Sequence, residues 1–406
     1  MFIFTISVNS MKQIIVFELK KLFRNRLLLF MLLLFGILNL YRIYSGYRKQ
    51  TGSEPQFYSA YFRIYENVSG EWNNDIIRYV VAEYEKAKAV VDAGGFSTEP
   101  NQPGTHTGYV FGDMNVFEQI KNEMDERYHY EQTMRKLTAN AAENAAFYEQ
   151  KGNTELAAKN RKIAETYQDR KVTAFYDTWG LNEYFKYDFS TLLILILMIL
   201  MLSPLFAKEH ELEMHGLLHL AQNAGKLPVC KLAAGGIAVC AVSLLFFTED
   251  FLAFRSLYHI SGLFQPVNTL DGYFYSPLHL RIGTYILLNA ALKILSFLVL
   301  GSICSAVSAA AKHELVPFCV SFSVMLMLVA GDAFAGSSVL SVLNPVTLLS
   351  GKKLFREFQT VSFFGTPVFS YVLPISAAAL ELLGLIAGII IISRASARKR
   401  RHRVET

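Results

Sequence analysis

Cysteine is scarce in this chain, and it is absent from the longest polar stretch. The 406 residues hold four cysteines, Cys230, Cys240, Cys304 and Cys319, and none lies between residues 45 and 186. That excludes a disulfide framework there, and without a CxxC pair a zinc or redox centre is not expected. Charge is scarce too: 18% of residues are charged against 52% hydrophobic, too apolar for a soluble domain of this length. Neither "NAGKLP" nor "SGKK" completes GxxxxGK[ST], so no nucleotide-binding loop is expected in the chain itself.

Long apolar runs are plentiful. They cover 27–44, 191–206, 229–247, 282–304, 315–330 and 371–393. About 20 apolar residues cross a bilayer as a helix, and helix is the form that satisfies the backbone of each isolated span. The expected fold is therefore an all-α polytopic membrane protein with six transmembrane helices. The first run is too long for a signal-peptide core and has no small-residue cleavage site after it. The segment 1–26, with "MKQIIVFELKKLFRNR", reads as an amphipathic helix on the membrane surface, and Met11 is a second candidate start.

Lysine and arginine set the expected orientation. Lys12, Lys20, Lys21, Arg24 and Arg26 precede the first span, and Arg394, Arg398, Lys399, Arg400, Arg401 and Arg403 follow the last. Both termini are expected in the cytoplasm, with 394–406 a basic tail. Lys352, Lys353 and Arg356 then fall outside, against the rule. The net charge of +5 is accounted for by these flanks and requires no nucleic acid.

Residues 45–186, between the first two spans, are too many for a connector. "NDIIRYVVAEYEKAKAVVDAGG" has helical periodicity and stops at glycines. "GGFSTEPNQPGTHTGYVFGD" reads as loop, and 116–177 as helix broken at "KGNT". A helical extracytoplasmic domain without disulfides is expected. Residues 187–393 hold spans two to six, and "NPVTLLSGKKLFREF" reads as a short amphipathic helix at the outer surface.

The charged stretch 207–230 between spans two and three invites a metal reading. His210-Glu211 with His215 resembles HExxH, but its histidines are five apart, about 140° around a helix instead of on one face. His215 and His219 are four apart without a third ligand nearby. No metal site, catalytic residue or bound cofactor is expected.

That stretch instead resembles the cytoplasmic coupling segment of ABC transporter permeases of the type-2 exporter family. Glu209, Leu217-Leu218, Gly225-Lys226 and Lys231 follow the family's order, although its Gly-Thr before the leucines and its turn proline are missing. "FELKKLFRNR" before span one, the large domain after it and "NPVTLL" in the last outer loop extend the resemblance. It implies a permease subunit in a bacterial plasma membrane, exporting a peptide, drug-like or lipid substrate. ATP would be hydrolysed on a separate ATPase subunit, with a second permease chain completing a homodimer or heterodimer. Glu209, Glu213, Leu217, Leu218 and Lys226 would couple to the ATPase, the charges facing it and the leucines anchoring. The alternative is a membrane sensor whose outer domain binds a ligand, although no cytoplasmic output domain is seen. An intramembrane enzyme is disfavoured by the lack of paired catalytic residues in the spans. Two intramembrane charges, Lys293 and Glu381, lie about ten residues deep in spans four and six, and an ion pair between them, within one chain or across a dimer seam, is expected.

Overall fold

The computed structural model describes residues 2–71, 73–95, 107, 110–212, 226–335, 339–363 and 365–404. It is an all-α polytopic architecture with six helices long and apolar enough to span a membrane: Arg26–Thr51, Trp179–Glu211, Leu227–Leu257, Ile282–Ala310, Leu315–Phe334 and Val372–Ser393. These are spans one to six. An even number returns the chain to the side where it began, here called the terminal face. The described residues between spans one and two, within 52–178, lie at the opposite, far face.

The N-terminal helix Phe2–Phe23 and span one are separate helices. Asn25 divides them because its side-chain oxygen accepts the Leu27 N–H at 3.1 Å, an N-cap that starts the span afresh. Span two is the most enclosed span and span six the least. Ile194, Leu197, Met198 and Leu202 of span two form the centre of the largest core, against Val239 and Phe246 of span three and Phe297 and Leu300 of span four. Spans one, five and six turn most of their apolar surface outward, as lipid-facing helices do.

The far-face domain is built from helices Pro55–Val68, Asn74–Asp92, Val110–Tyr128, Tyr130–Gln150 and Thr154–Tyr167. The break at 151–153 is the expected one: the Asn153 side chain caps the next helix through Leu156 N, and Gly152 supplies a φ of 72°. The loop expected from the glycine-rich stretch overran, since helix resumes at Val110. Two short strands, Gly70–Glu71 and Ala174–Phe175, close the domain antiparallel just before span two.

The domain is latched to the 258–281 loop. Arg170 donates to Ser276 O at 2.7 Å and Pro277 O at 2.8 Å, and the Tyr167 hydroxyl donates to Tyr275 O. Beneath it, a Cβ on Gly180 would stand 2.7 Å from Tyr258 O, so the start of span two meets the end of span three at backbone distance.

The expectation of a surface helix at "NPVTLL" fails. Asn344 to Leu349 are buried: Pro345–Leu348 forms a 3-10 turn whose Pro345 O accepts from Ser296 of span four, while Asn344 donates to Leu328 O of span five. Short helix Lys352–Phe355 follows, then a hairpin pairing Thr360–Phe363 with Thr366–Phe369.

Candidate functional site around the broken second span

Span two is three helices in line: Trp179–Lys186, Phe189–Leu202 and Pro204–Glu211. A break exposes backbone groups that lipid cannot satisfy, so it is tolerated only inside protein. At both breaks here, side chains from other spans converge.

The break nearer the terminal face follows from Pro204, which lacks an N–H and begins the last helix. Ser308 of span four, fully buried, donates to Ser203 O at 2.7 Å and accepts from Phe206 N and Ala207 N at 3.0 and 3.2 Å. One hydroxyl thus satisfies both sides of the interruption.

One turn on lies Glu209, 7% exposed. Its Oε1 takes Lys21 of the N-terminal helix at 3.0 Å, and its Oε2 takes Lys231 of span three at 2.5 Å. Lys231 is 1% exposed and also donates to Leu205 O at 2.9 Å. Buried Glu18 stands 3.7 Å from Lys21. A single carboxylate therefore clamps the N-terminal helix, the end of span two and the start of span three. Alongside, Lys208 pairs with Glu314 at 3.2 Å, and Glu211 accepts the Glu314 N–H at 2.9 Å, tying in the turn between spans four and five.

Glu209 was expected to present its charge to a partner chain; in this chain the carboxylate is turned inward onto two lysines. Lys226 immediately precedes the helix of span three. Glu213, Leu217 and Leu218 lie outside the described residues, as do His215 and His219. Among the described residues no group of His, Cys, Asp and Glu could hold a metal ion.

The second break, at Tyr187-Asp188, gathers an intramembrane polar cluster. Asn39 of span one, fully buried, donates to Asp250 Oδ1 at 2.7 Å and accepts from the Tyr187 hydroxyl at 2.7 Å. Ser190 also bonds Asp250. Lys293 of span four donates to Asp188 Oδ1 at 3.2 Å and lies 3.4 Å from Thr191 Oγ1. The cluster includes Tyr187, Asp250 and Lys293, which border a cavity of about 20 Å³, room for no more than a water-sized group. It ties spans one to four together and leaves no space for a substrate.

Within the chain, Lys293 and Glu381 do not pair. Lys293 is 8% exposed and already committed to Asp188. Span six faces outward at Leu380 and Leu383, and among the described residues nothing pairs with Glu381.

Asp250 was missed because the third apolar run stops at 247, whereas the helix continues to Leu257, and its partner Asn39 lies unremarked inside the first run. The signal was there: an asparagine within span one and an acid pair one turn beyond an apolar run.

A third cluster joins the far-face domain to span two. Asp177 Oδ1 accepts Trp179 N at 2.8 Å and lies 3.4 Å from the Tyr61 hydroxyl. Arg127 donates to Tyr176 O at 2.9 Å, stands 3.5 Å from Glu123, and the Tyr65 hydroxyl bonds Glu123 at 3.2 Å. Withdrawal from water, with Glu123 nearby, pushes the Asp177 carboxyl up to about 6, against the pull of Trp179 N–H, Tyr61 and Arg127. Burial raises Glu123 too, opposed mainly by Arg127.

No family model matches the chain, and no curated protein matches it.

Proposed function

We propose that this chain is the membrane subunit of an ABC-type exporter, driven by an ATPase on a separate chain. The observation that carries the reading is the Glu209 clamp. The connection 213–225 starts and ends at spans whose termini are fixed to each other and to the N-terminal helix. A push on that connection would move three membrane elements together instead of bending a slack loop. The reading gives the clamp a mechanical part: Glu209 anchors the lever, and Glu213, Leu217, Leu218 and Lys226 meet the ATPase. It puts both termini in the cytoplasm of a bacterium, with a second permease chain against the outward-facing spans. The cargo is a peptide, drug-like or lipid molecule.

Affinity purification of the full chain from its native membrane after mild crosslinking tests this. An ATPase subunit should be recovered, and Leu217→Asp with Leu218→Asp should reduce that recovery at least about tenfold, since an apolar anchor contributes of order 1.5–3 kcal/mol per side chain. Recovery of no nucleotide-hydrolysing partner sinks the reading.

The sensor alternative keeps one observation in its favour. The far-face domain runs into span two with no linker, through Asp177 and Trp179. Recovery of a signalling protein in place of an ATPase would select it.

A further inference from the structure

A cavity at the terminal face borders the membrane and has two unlike walls. It holds about 840 Å³ and lies between the N-terminal helix, the start of span one and the Pro204 break of span two. Leu28, Met201 and Leu205 give it an apolar floor; all three are buried. Its rim is basic, carrying Lys20, Lys21, Arg24 and Lys208.

Two of these cations are already spent. Lys21 is held by Glu209 and Glu18, and Lys208 by Glu314. Lys20 and Arg24 are exposed, and among the described residues neither has an anionic partner. They are four apart where helical turns continue (Arg24 N–H bonds Lys20 O at 2.9 Å), so both project from one face. Two cations with no anionic partner among the described residues, over an apolar floor and level with the first residues of a membrane span, match an amphiphilic anion. A soluble anion would use the rim and leave the floor wet. A peptide helix would need more apolar length than three residues offer.

We propose that this cavity binds an anionic phospholipid of the adjoining leaflet, its phosphate on Lys20 and Arg24 and an acyl chain along Leu28, Met201 and Leu205. Basic pockets between membrane helices take such headgroups. The site abuts the clamp through Lys21 and Leu205, so an occupying lipid would brace the N-terminal helix against span two.

The test is thermal unfolding of the purified full chain in a non-ionic detergent, titrated with phosphatidylglycerol, phosphatidylcholine or inorganic phosphate. Native mass spectrometry counts the lipid retained. Phosphatidylglycerol should stabilise more than phosphatidylcholine, with about one molecule retained per chain, and phosphate should do nothing. A cation near a charged headgroup is worth about fivefold, so Lys20→Ala with Arg24→Ala should weaken phosphatidylglycerol binding roughly thirtyfold. Arg48→Ala with Lys49→Ala, at the other end of span one, removes the same charge and should leave binding unchanged. Equal stabilisation by the two lipids, full effect from phosphate alone, or equal loss from the two double variants would each overturn the proposal. If the Lys20/Arg24 variant does not fold, the three-ligand comparison on the unaltered chain still decides.

Discussion

At the residue scale, Glu209 shows how much one side chain can hold. Its two oxygens serve lysines from two other elements, and both Glu209 and Lys231 are buried. Removing one partner strands the other charge away from water. Glu209→Ala should therefore cost about 3–5 kcal/mol, and Glu209→Gln combined with Lys231→Met should recover most of it. Thermal aggregation of the detergent-solubilised protein measures both. Asp177 makes a second prediction, about pH. Its carboxyl sits near 6, above the usual 3.8, so the folded state holds a proton that the unfolded state has released. The stabilisation is complete below pH ~4 and is lost as pH rises through ~6, to at most about 3 kcal/mol. Amide exchange at Trp179 to Lys186 should quicken from pH 5 to 7.5, after correction for intrinsic rates. Asp177→Asn, which keeps the oxygen for Trp179 N–H, should remove that change. The sequence marked Glu209 by its place in a family order and gave no hint of Asp177. Nothing local distinguishes an aspartate that a distant helix will cover.

At the element scale, the break at Ser203-Pro204 depends on a hydroxyl about a hundred residues away. Ser308→Ala leaves the Phe206 and Ala207 N–H groups without their acceptor and should lower stability by about 1–3 kcal/mol, whereas Ser308→Thr should be milder. Melting temperatures of the two variants are the check. The apolar runs located six spans well because hydrocarbon thickness is a local demand on sequence. They misjudged where helices end, since span three continues past the run to Leu257 so that Asp250 can meet Asn39. The same limit explains "NPVTLL", whose composition suits a surface helix but whose backbone oxygen at Pro345 is claimed by Ser296. The hairpin at 360–369 was legible in part: Gly365, at φ 80°, sits between two β-branched and aromatic stretches.

At the scale of the whole molecule, Arg170 makes two of the hydrogen bonds that fasten the far-face domain to the 258–281 loop. Arg170→Ala should leave its helices intact while freeing the 258–281 loop. Limited proteolysis of that loop should accelerate several-fold with the far-ultraviolet dichroism unchanged, as expected when local opening becomes easier without global unfolding. The helical character of this domain was plain from periodicity, but its fastening was not, because Arg170 reaches carbonyls more than a hundred residues on. The Asp188–Lys293 pair spans a similar distance, and it bears on how the chain is made. A lysine entering a bilayer without a partner costs at least ~2.5–3.5 kcal/mol. Asp188 is synthesised 105 residues before Lys293, an interval of roughly 5–20 s at ordinary translation rates. For that time the aspartate must wait at the membrane boundary while spans two and three are already in place, with room left for the fourth. Membrane assembly of this chain is therefore ordered: the half-built bundle has to stay open on one side until the span that neutralises it arrives.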